Sequence, residues 1–261
     1  MGNTITVTHP APGVGWVTIT RPECSNAINP QTDLAMAEAL QALEQDPQVR
    51  CIVITGAGSK AFCAGADIPE LLPSLKRNIL AGRDSPQFCG MTHRPSTSKP
   101  LLAAINGVAL GGGLELALAC DLRIASSNAS FGLPEITVGV LAGAGGCTRL
   151  PRTIPAALAA EMILTGCPIN AERAMQAGLI SEVTAPEALQ ERALSLALTI
   201  ATRAPLALRA CTALLRRPRF NELEEAMREE RNAFAEVLTS RDADEGIRAF
   251  SEKREPVYLK A

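Results

Sequence analysis

The chain is predicted to be an α/β protein that finishes in helices, and three observations carry this. Over the first 185 residues, short apolar stretches suited to strands alternate with segments of helical periodicity. From Pro186 onward the pattern is only helical. Turns rich in small residues, at 56–65 and 111–113, stand where an apolar strand hands over to a helix.

Taken in order, Thr4–Thr8 and Val14–Thr20 read as two strands joined by a Pro/Gly turn, the second ended by Arg21-Pro22. Asn29 before Pro30 is a helix start, a cap followed by proline at the first helical position. That helix is expected to reach Gln45, with Leu34, Ala37, Leu40 and Leu43 on one stripe. Cys51–Thr55 is a buried strand, 56–65 a loop, and Asp67–Leu75 a short helix. Residues 76–98 are polar and irregular, a candidate lid. Leu101–Ile105 is another buried strand; the glycine turn and a helix carrying Glu115 follow. Strands are expected at Leu122–Ala125, Ser130–Phe131 and Leu179–Val183, and helices at Ile154–Leu164 and Ala171–Ala177, the latter stopped by Gly178. In Phe220–Leu238, apolar residues recur along one helical stripe that must pack on the body or on another subunit.

Composition narrows the function. A net charge of −2 and 3% aromatic residues give no basic field and few stacking platforms, which disfavours nucleic acid. The eight cysteines form no CxxC pair, and several sit in apolar runs, as free thiols do in a reducing compartment. The N-terminus enters a strand pattern without signal features, and no uninterrupted apolar run reaches about 18 residues, so a cytoplasmic protein with no membrane span is expected. His9 and His93, the only histidines, lie in Pro-flanked stretches without partners for a triad or a zinc site, so no metal is expected. No glycine-rich nucleotide fingerprint follows a strand.

Two carboxylates stand out. Between Lys99 and Asp121 the only charged residue is Glu115, and between Arg123 and Arg149 the only one is Glu135. A solvated helix face would carry polar neighbours at helical spacing, but those of Glu115 are Gly112, Ala119 and Leu122. Such a carboxylate points into protein or a cleft, held by a partner or a function. Gly111-Gly112-Gly113 precedes it, and free N–H groups at a helix start favour negative charge. The loop Ala61–Ile68 is a second source of accessible N–H groups, and two convergent donors make an oxyanion hole. Asp121 and Arg123 read as structural, and Arg216, Arg217 and Arg219 as a solvated face.

The stretches AFCAGADI (61–68), KPLLAAINGVALGGGLELALACD (99–121), FGLPEITVG (131–139) and GAGGCTRLPR (143–152) resemble the crotonase superfamily, the enoyl-CoA hydratase/isomerase family. RPECSNAIN (21–29) and AFSEKREP (249–256) fit its two ends, so the resemblance covers essentially the whole chain. It is nearest the enoyl-CoA hydratases that keep two catalytic glutamates, matched here by Glu115 and Glu135.

The resemblance implies a crotonase-like spiral of ββα units over 1–195 and a C-terminal helical trimerisation region over 196–261, assembled as a homotrimer or dimer of trimers. It implies oxyanion-hole amides at Ala66 and Gly112, a coenzyme A site along Cys24, Ala64, Ala66, Asp67 and Ile68, and C-terminal contacts at Phe234 and Lys253. Gly143 matches an amide that helps hold the water. Glu115 would take the proton of water and Glu135 would act at the α-carbon, with an acyl-CoA as substrate and no metal or redox cofactor. Glu23 stands where the family often has a basic residue, and Ala142 where it often has proline. The rival readings are an enoyl-CoA isomerase, a carnitinyl- or methylglutaconyl-CoA type dehydratase, and an RNA-binding interaction protein. Fatty-acid β-oxidation, amino-acid catabolism and aromatic catabolism all fit as settings.

Overall fold

The chain opens on a hairpin, β1 (Ile5–Ala11) and β2 (Val14–Ile19), paired antiparallel with Ile5 opposite Ile19. The structure, a computed structural model, describes residues 3–81, 88–92 and 97–216, with 241, 245, 249, 252–254 and 257. Helix α1 (Pro30–Gln45) starts as its sequence requires, with the Asn29 side chain accepting the Thr32 N–H. Buried Lys99 holds its far end, donating to the Leu43 and Asp46 carbonyls, each at 2.6 Å. The buried stripe is Thr32, Met36, Leu40 and Leu43. Leu34, expected on it, is 61% exposed. Four consecutive apolar residues, 34–37, leave that face undetermined by periodicity.

There follow β3 (Cys51–Gly56), β4 (Ala61–Cys63), α2 (Ile68–Leu80), β5 (Leu101–Ile105), β6 (Val108–Leu110), α3 (Gly112–Ala119), β7 (Leu122–Ser126) and β8 (Ser130–Gly132). Then come α4 (Gly146–Thr153), α5 (Ala156–Thr165), β9 (Ile169–Asn170), α6 (Ala171–Gln176), β10 (Glu182–Thr184), α7 (Leu189–Ala201) and α8 (Pro205–Leu215). Strands feed two sheets alternately, one ordered β1-β2-β3-β5-β7-β10 and the other β4-β6-β8-β9. Apart from β1–β2 and β8–β9, every pairing is parallel. Each circuit places one strand in each sheet and then runs through a helix, so β3-β4-α2 and β5-β6-α3 are successive turns of a spiral. This is the expected α/β spiral.

The main core fills the space around the two sheets, with Phe62, Phe131, Met36 and Leu101 fully buried. A second cluster seats α7 on the first sheet, Ala193, Ala197 and Ala201 against Val53, Leu102 and Ile124. The expected division at 195/196 falls within this helix.

Several elements differ from the sequence reading. β4 falls in the expected loop and β6 just ahead of the glycine turn, where no strand was expected; each has three residues, too few for a period to register. α2 continues five residues past Leu75, and Phe88–Gly90 forms a 3₁₀ turn, so part of the candidate lid is regular structure. α4 arises where only a glycine loop was expected. Leu179 and Ile180 are buried ahead of β10 rather than in it. His9 lies in β1, not a loop, and His93 and Phe220–Leu238 lie outside the described residues.

Arg216 is not on a solvated face. It follows α8, donates to both Asp121 oxygens at 2.7 and 2.6 Å and to the Lys99 carbonyl at 2.8 Å, and also reaches the Thr97 carbonyl. Asp121 in turn accepts the Leu101 N–H, at 2.8 Å. The clasp ties the end of α8 to the start of β5. With side-chain exposures of 17% and 8%, neither charge has water to replace a lost partner. Arg216→Met is expected to lower unfolding free energy by about 2 kcal/mol, read as an earlier urea midpoint. Arg217 and Arg219 lie outside the described residues. Arg123 holds the Leu179 and Cys120 carbonyls, both at 2.7 Å, the structural role expected of it.

Candidate active site

Three neighbouring parallel strands of the second sheet, β4, β6 and β8, end at one edge. Their continuations are Ala64-Gly65-Ala66, Gly111-Gly112 and Leu133-Pro134-Glu135. The carboxyl ends of parallel strands are where open α/β sheets gather ligand-binding groups, and every residue expected to do chemistry emerges there.

The two amides come first. Ala66 bridges to Ile28 in parallel register: the Ile28 N–H donates to the Gly65 carbonyl and the Asp67 N–H to the Ile28 carbonyl, each at 2.8 Å. That register turns the N–H of Ala66 itself to the opposite side of the loop. Gly112 is the first residue of α3, so its N–H has no carbonyl one turn back. A Cβ built on Gly65 would lie 3.0 Å from the Gly112 nitrogen, so the two loops touch. Gly111, before the helix, has φ +52°, a left-handed conformation that admits glycine readily.

Glu115 is 3% exposed in the first turn of α3. Its Oε1 accepts the N–H of Ala144 at 2.8 Å and of Gly146 at 2.7 Å. Burial pushes its pKa above the ordinary carboxylate value, opposed by those two N–H groups and by Arg149. Glu135 sits in the 3₁₀ turn Pro134–Val138. A Cβ on Gly111 would lie 3.0 Å from its Oε1, while its Oε2 is buried with no hydrogen-bond partner among the described residues. Burial lifts its pKa to about 7, lowered by its own backbone N–H and raised again by the charge of Glu115. Glu135 therefore registers the charge of Glu115 across the helix start: one acid is oriented by backbone donors, the other has an oxygen left for a substrate or water.

The segments expected to line coenzyme A lie side by side. The Ala64 N–H donates to the Ser25 carbonyl at 3.1 Å, which lays 22–28 beside 64–67. Arg21 joins them, donating to Asp67 at 3.1 Å and to the Ala27 carbonyl at 2.6 Å. Cys24 is exposed, with its sulfur 3.9 Å from Arg21 Nη2, and Ile68 is exposed at the start of α2. Gly143 is exposed on the loop before α4; the donors to Glu115 are its neighbours Ala144 and Gly146, which sequence reasoning missed. The run GAGG signalled a loop rich in free N–H groups without saying which of them point inward. Lys253 is exposed with φ +55°, and Phe234 lies outside the described residues. Among the described residues no cluster of His, Cys, Asp and Glu is suited to a metal, and no single helix is long and apolar enough to cross a membrane.

A spiral α/β scaffold that sets Glu115 and Glu135 beside the amide-bearing ends of two strand loops suits an enzyme that works through a stabilised oxyanion. A profile of the enoyl-CoA hydratase/isomerase family matches residues 10–260. The chain is 40% identical over 245 residues to (E)-benzylidenesuccinyl-CoA hydratase of Thauera aromatica, covering 94% of this chain and 95% of that one. It is 37% identical over 246 residues to crotonyl-CoA hydratase of Syntrophomonas wolfei, covering 92% of each. The crystal structure of enoyl-CoA hydratase from Bacillus anthracis superposes with a TM-score of 0.91 at 34% identity, over 99% of this chain and 100% of that one. The chain belongs to the enoyl-CoA hydratase/isomerase family, the crotonase family, and is a hydro-lyase of it.

Proposed function

We propose that this protein adds water reversibly, with syn geometry, across the double bond of a trans-2-enoyl-CoA, giving a 3-hydroxyacyl-CoA. The observation that carries the reading is the pair Glu115 and Glu135 beside the amides of Ala66 and Gly112. The β-carbon of an enoyl thioester is electrophilic only if negative charge can build on the thioester oxygen, and two fixed N–H donors accept that charge. Glu115, ionised and held by the Ala144 and Gly146 N–H groups, takes a proton from water as its oxygen bonds the β-carbon. Glu135, protonated, delivers its proton to the α-carbon. The product then carries the oxygen and one hydrogen of that water together with the proton of Glu135; the other water proton rests on Glu115, and its return to Glu135 resets the site for the next turnover. The chemistry calls on no further cofactor.

The environments match these roles. A carboxyl lifted to about 7 keeps its proton near neutrality and can act as an acid. Activity requires Glu135 protonated, so kcat/KM is expected to fall as pH rises through about 7. It requires Glu115 ionised, so kcat/KM also falls on the acid side, at a pH above the ordinary carboxylate range. The bell belongs to the coupled pair rather than to either residue, and a pH–rate profile with crotonyl-CoA checks it.

Coenzyme A lies, on this reading, along Cys24, Ala64, Asp67 and Ile68, with Gly143, Phe234 and Lys253 contributing further contacts. Crotonyl-CoA and (E)-benzylidenesuccinyl-CoA, on which the relatives act by name, mark the substrate range to test. We further propose a homotrimer or dimer of trimers built on the region after 195. Exposed Ile136, Val138, Val140 and Leu141, just beyond Glu135, supply apolar surface for a second copy. A cytoplasmic setting accords with eight free thiols. Loss of the enoyl absorbance across a panel of 2-enoyl-CoA thioesters tests the reading. Turnover of at least one member is expected, and no turnover of any at micromolar enzyme overturns it.

A further inference from the structure

One charged group at the site has no part in the chemistry above. Arg149, on the first turn of α4, is half-buried, and its own N–H donates to the Gly145 carbonyl at 2.7 Å. Its guanidinium folds back over the turn it follows. Nη1 donates to the Ala144 carbonyl at 3.2 Å, and Nη2 to the carbonyl of Thr92, 57 residues earlier in the chain. Gly145, with φ +107°, leaves that guanidinium the space a side chain would otherwise fill. The peptides so pinned, Ala144 to Gly146, are those whose N–H groups converge on Oε1 of Glu115.

We propose that Arg149 is a positioning residue for the hydration reaction: it locks the Ala144–Gly146 turn that aims Glu115, and sets a fixed positive charge beside that carboxylate. The inference rests on the reading of Glu115 as the group that deprotonates water. The two effects act in one direction. A pinned turn holds two donors at 2.7–2.8 Å from Oε1, which favours the ionised form, and the guanidinium favours it again. Glu115 and Arg149 each register the other's charge: Arg149 draws the Glu115 pKa down against burial, and Glu115 draws that of Arg149 up. Among the described residues, Arg149 from α4 is the charge that acts on Glu115, Glu135 from the 3₁₀ turn registers the charge of Glu115, and α3 carries no charge besides Glu115 itself. Arg149 thus offsets the burial of Glu115.

The test separates charge from scaffolding. In Arg149→Met the donors and the charge both go. With crotonyl-CoA, kcat is expected to fall about 10²-fold, as for a misaimed reacting group. The acid limb of kcat/KM is expected to move up by about one pH unit, because removing a nearby cation raises a carboxyl pKa. KM should change little, since the thioester is gripped elsewhere. Arg149→Lys keeps the charge without the fork; its acid limb should stay at the wild-type pH while kcat remains depressed, and it serves if the methionine variant fails to fold. An acid limb that does not move in Arg149→Met, or that moves equally in Arg149→Lys, overturns the proposal, as does a loss expressed in KM alone. Glu115→Gln separates this inference from the reading beneath it. If that variant is inactive and Arg149→Met leaves the pH limb in place, only the role of Arg149 falls. If Glu115→Gln keeps wild-type activity, the assignment of Glu115 falls first.

Discussion

Glu115→Gln is expected to lower kcat for hydration of crotonyl-CoA by about 10³-fold, with KM nearly unchanged. The substitution is close to isosteric, and the glutamine Oε1 can still accept the N–H groups of Ala144 and Gly146, so the turn and the fold should survive. What the amide cannot do is take a proton from water. The thioester carbonyl would still meet the amides of Ala66 and Gly112, which is why binding should persist. Moving a double bond between the β,γ and α,β positions, by carrying one proton between the α- and γ-carbons, needs only one carboxylate, so any isomerase activity of the chain should fall far less. Circular dichroism of the variant beside progress curves at the enoyl absorbance would decide the matter. Hydration within tenfold of wild type would remove Glu115 from the mechanism.

Gly113→Ala is expected to abolish activity and most of the folded protein. A Cβ at this position would lie 2.7 Å from the carbonyl carbon of Cys63 and closer still to its oxygen. That carbonyl belongs to the last residue of β4 and is backbone, so it cannot swing aside. Relief would require parting α3 from β4, which would carry the Gly112 amide away from that of Ala66. Overpacking of this kind costs about 3 kcal/mol or more when the neighbour is rigid. Gly112→Ala makes a control. Its Cβ would meet the Phe88 ring, 2.7 Å from Cζ, and a side chain can move. The alanine at 112 should therefore yield soluble protein with reduced activity, whereas the alanine at 113 should be recovered poorly and melt early. Equal yields and equal melting temperatures would count against backbone crowding as the reason for the third glycine.

Much of this was legible in the residues. The central strands β3 and β5 of the first sheet are apolar at most positions, and the α1 cap is written in Asn29-Pro30. Glu115 and Glu135 announced themselves by isolation in apolar runs. The second sheet was legible only at β8, expected at Ser130–Phe131. β4 and β6 are three residues each and run into glycine-containing turns, so neither length nor alternation distinguishes them from loops. They form because the first sheet brings them side by side, a tertiary cause that no local window contains. Yet these strands aim the site. The paired acids could be named from the sequence, while their approach across the helix start could not. Arg216 escaped for the same reason: its partner, Asp121, lies 95 residues away.

The strand ends separate two kinds of instruction. On the proposed mechanism the working atoms at the ends of β4 and β6 are main-chain nitrogens, which a point mutation leaves chemically intact; Glu135 after β8 and Glu115 on α3 are side chains, open to replacement one codon at a time. Stabilising an enolate is thus built into the frame, while the fate of that enolate is an interchangeable choice. A lineage inheriting this frame can trade one reaction for another without rebuilding the part that makes any of them fast.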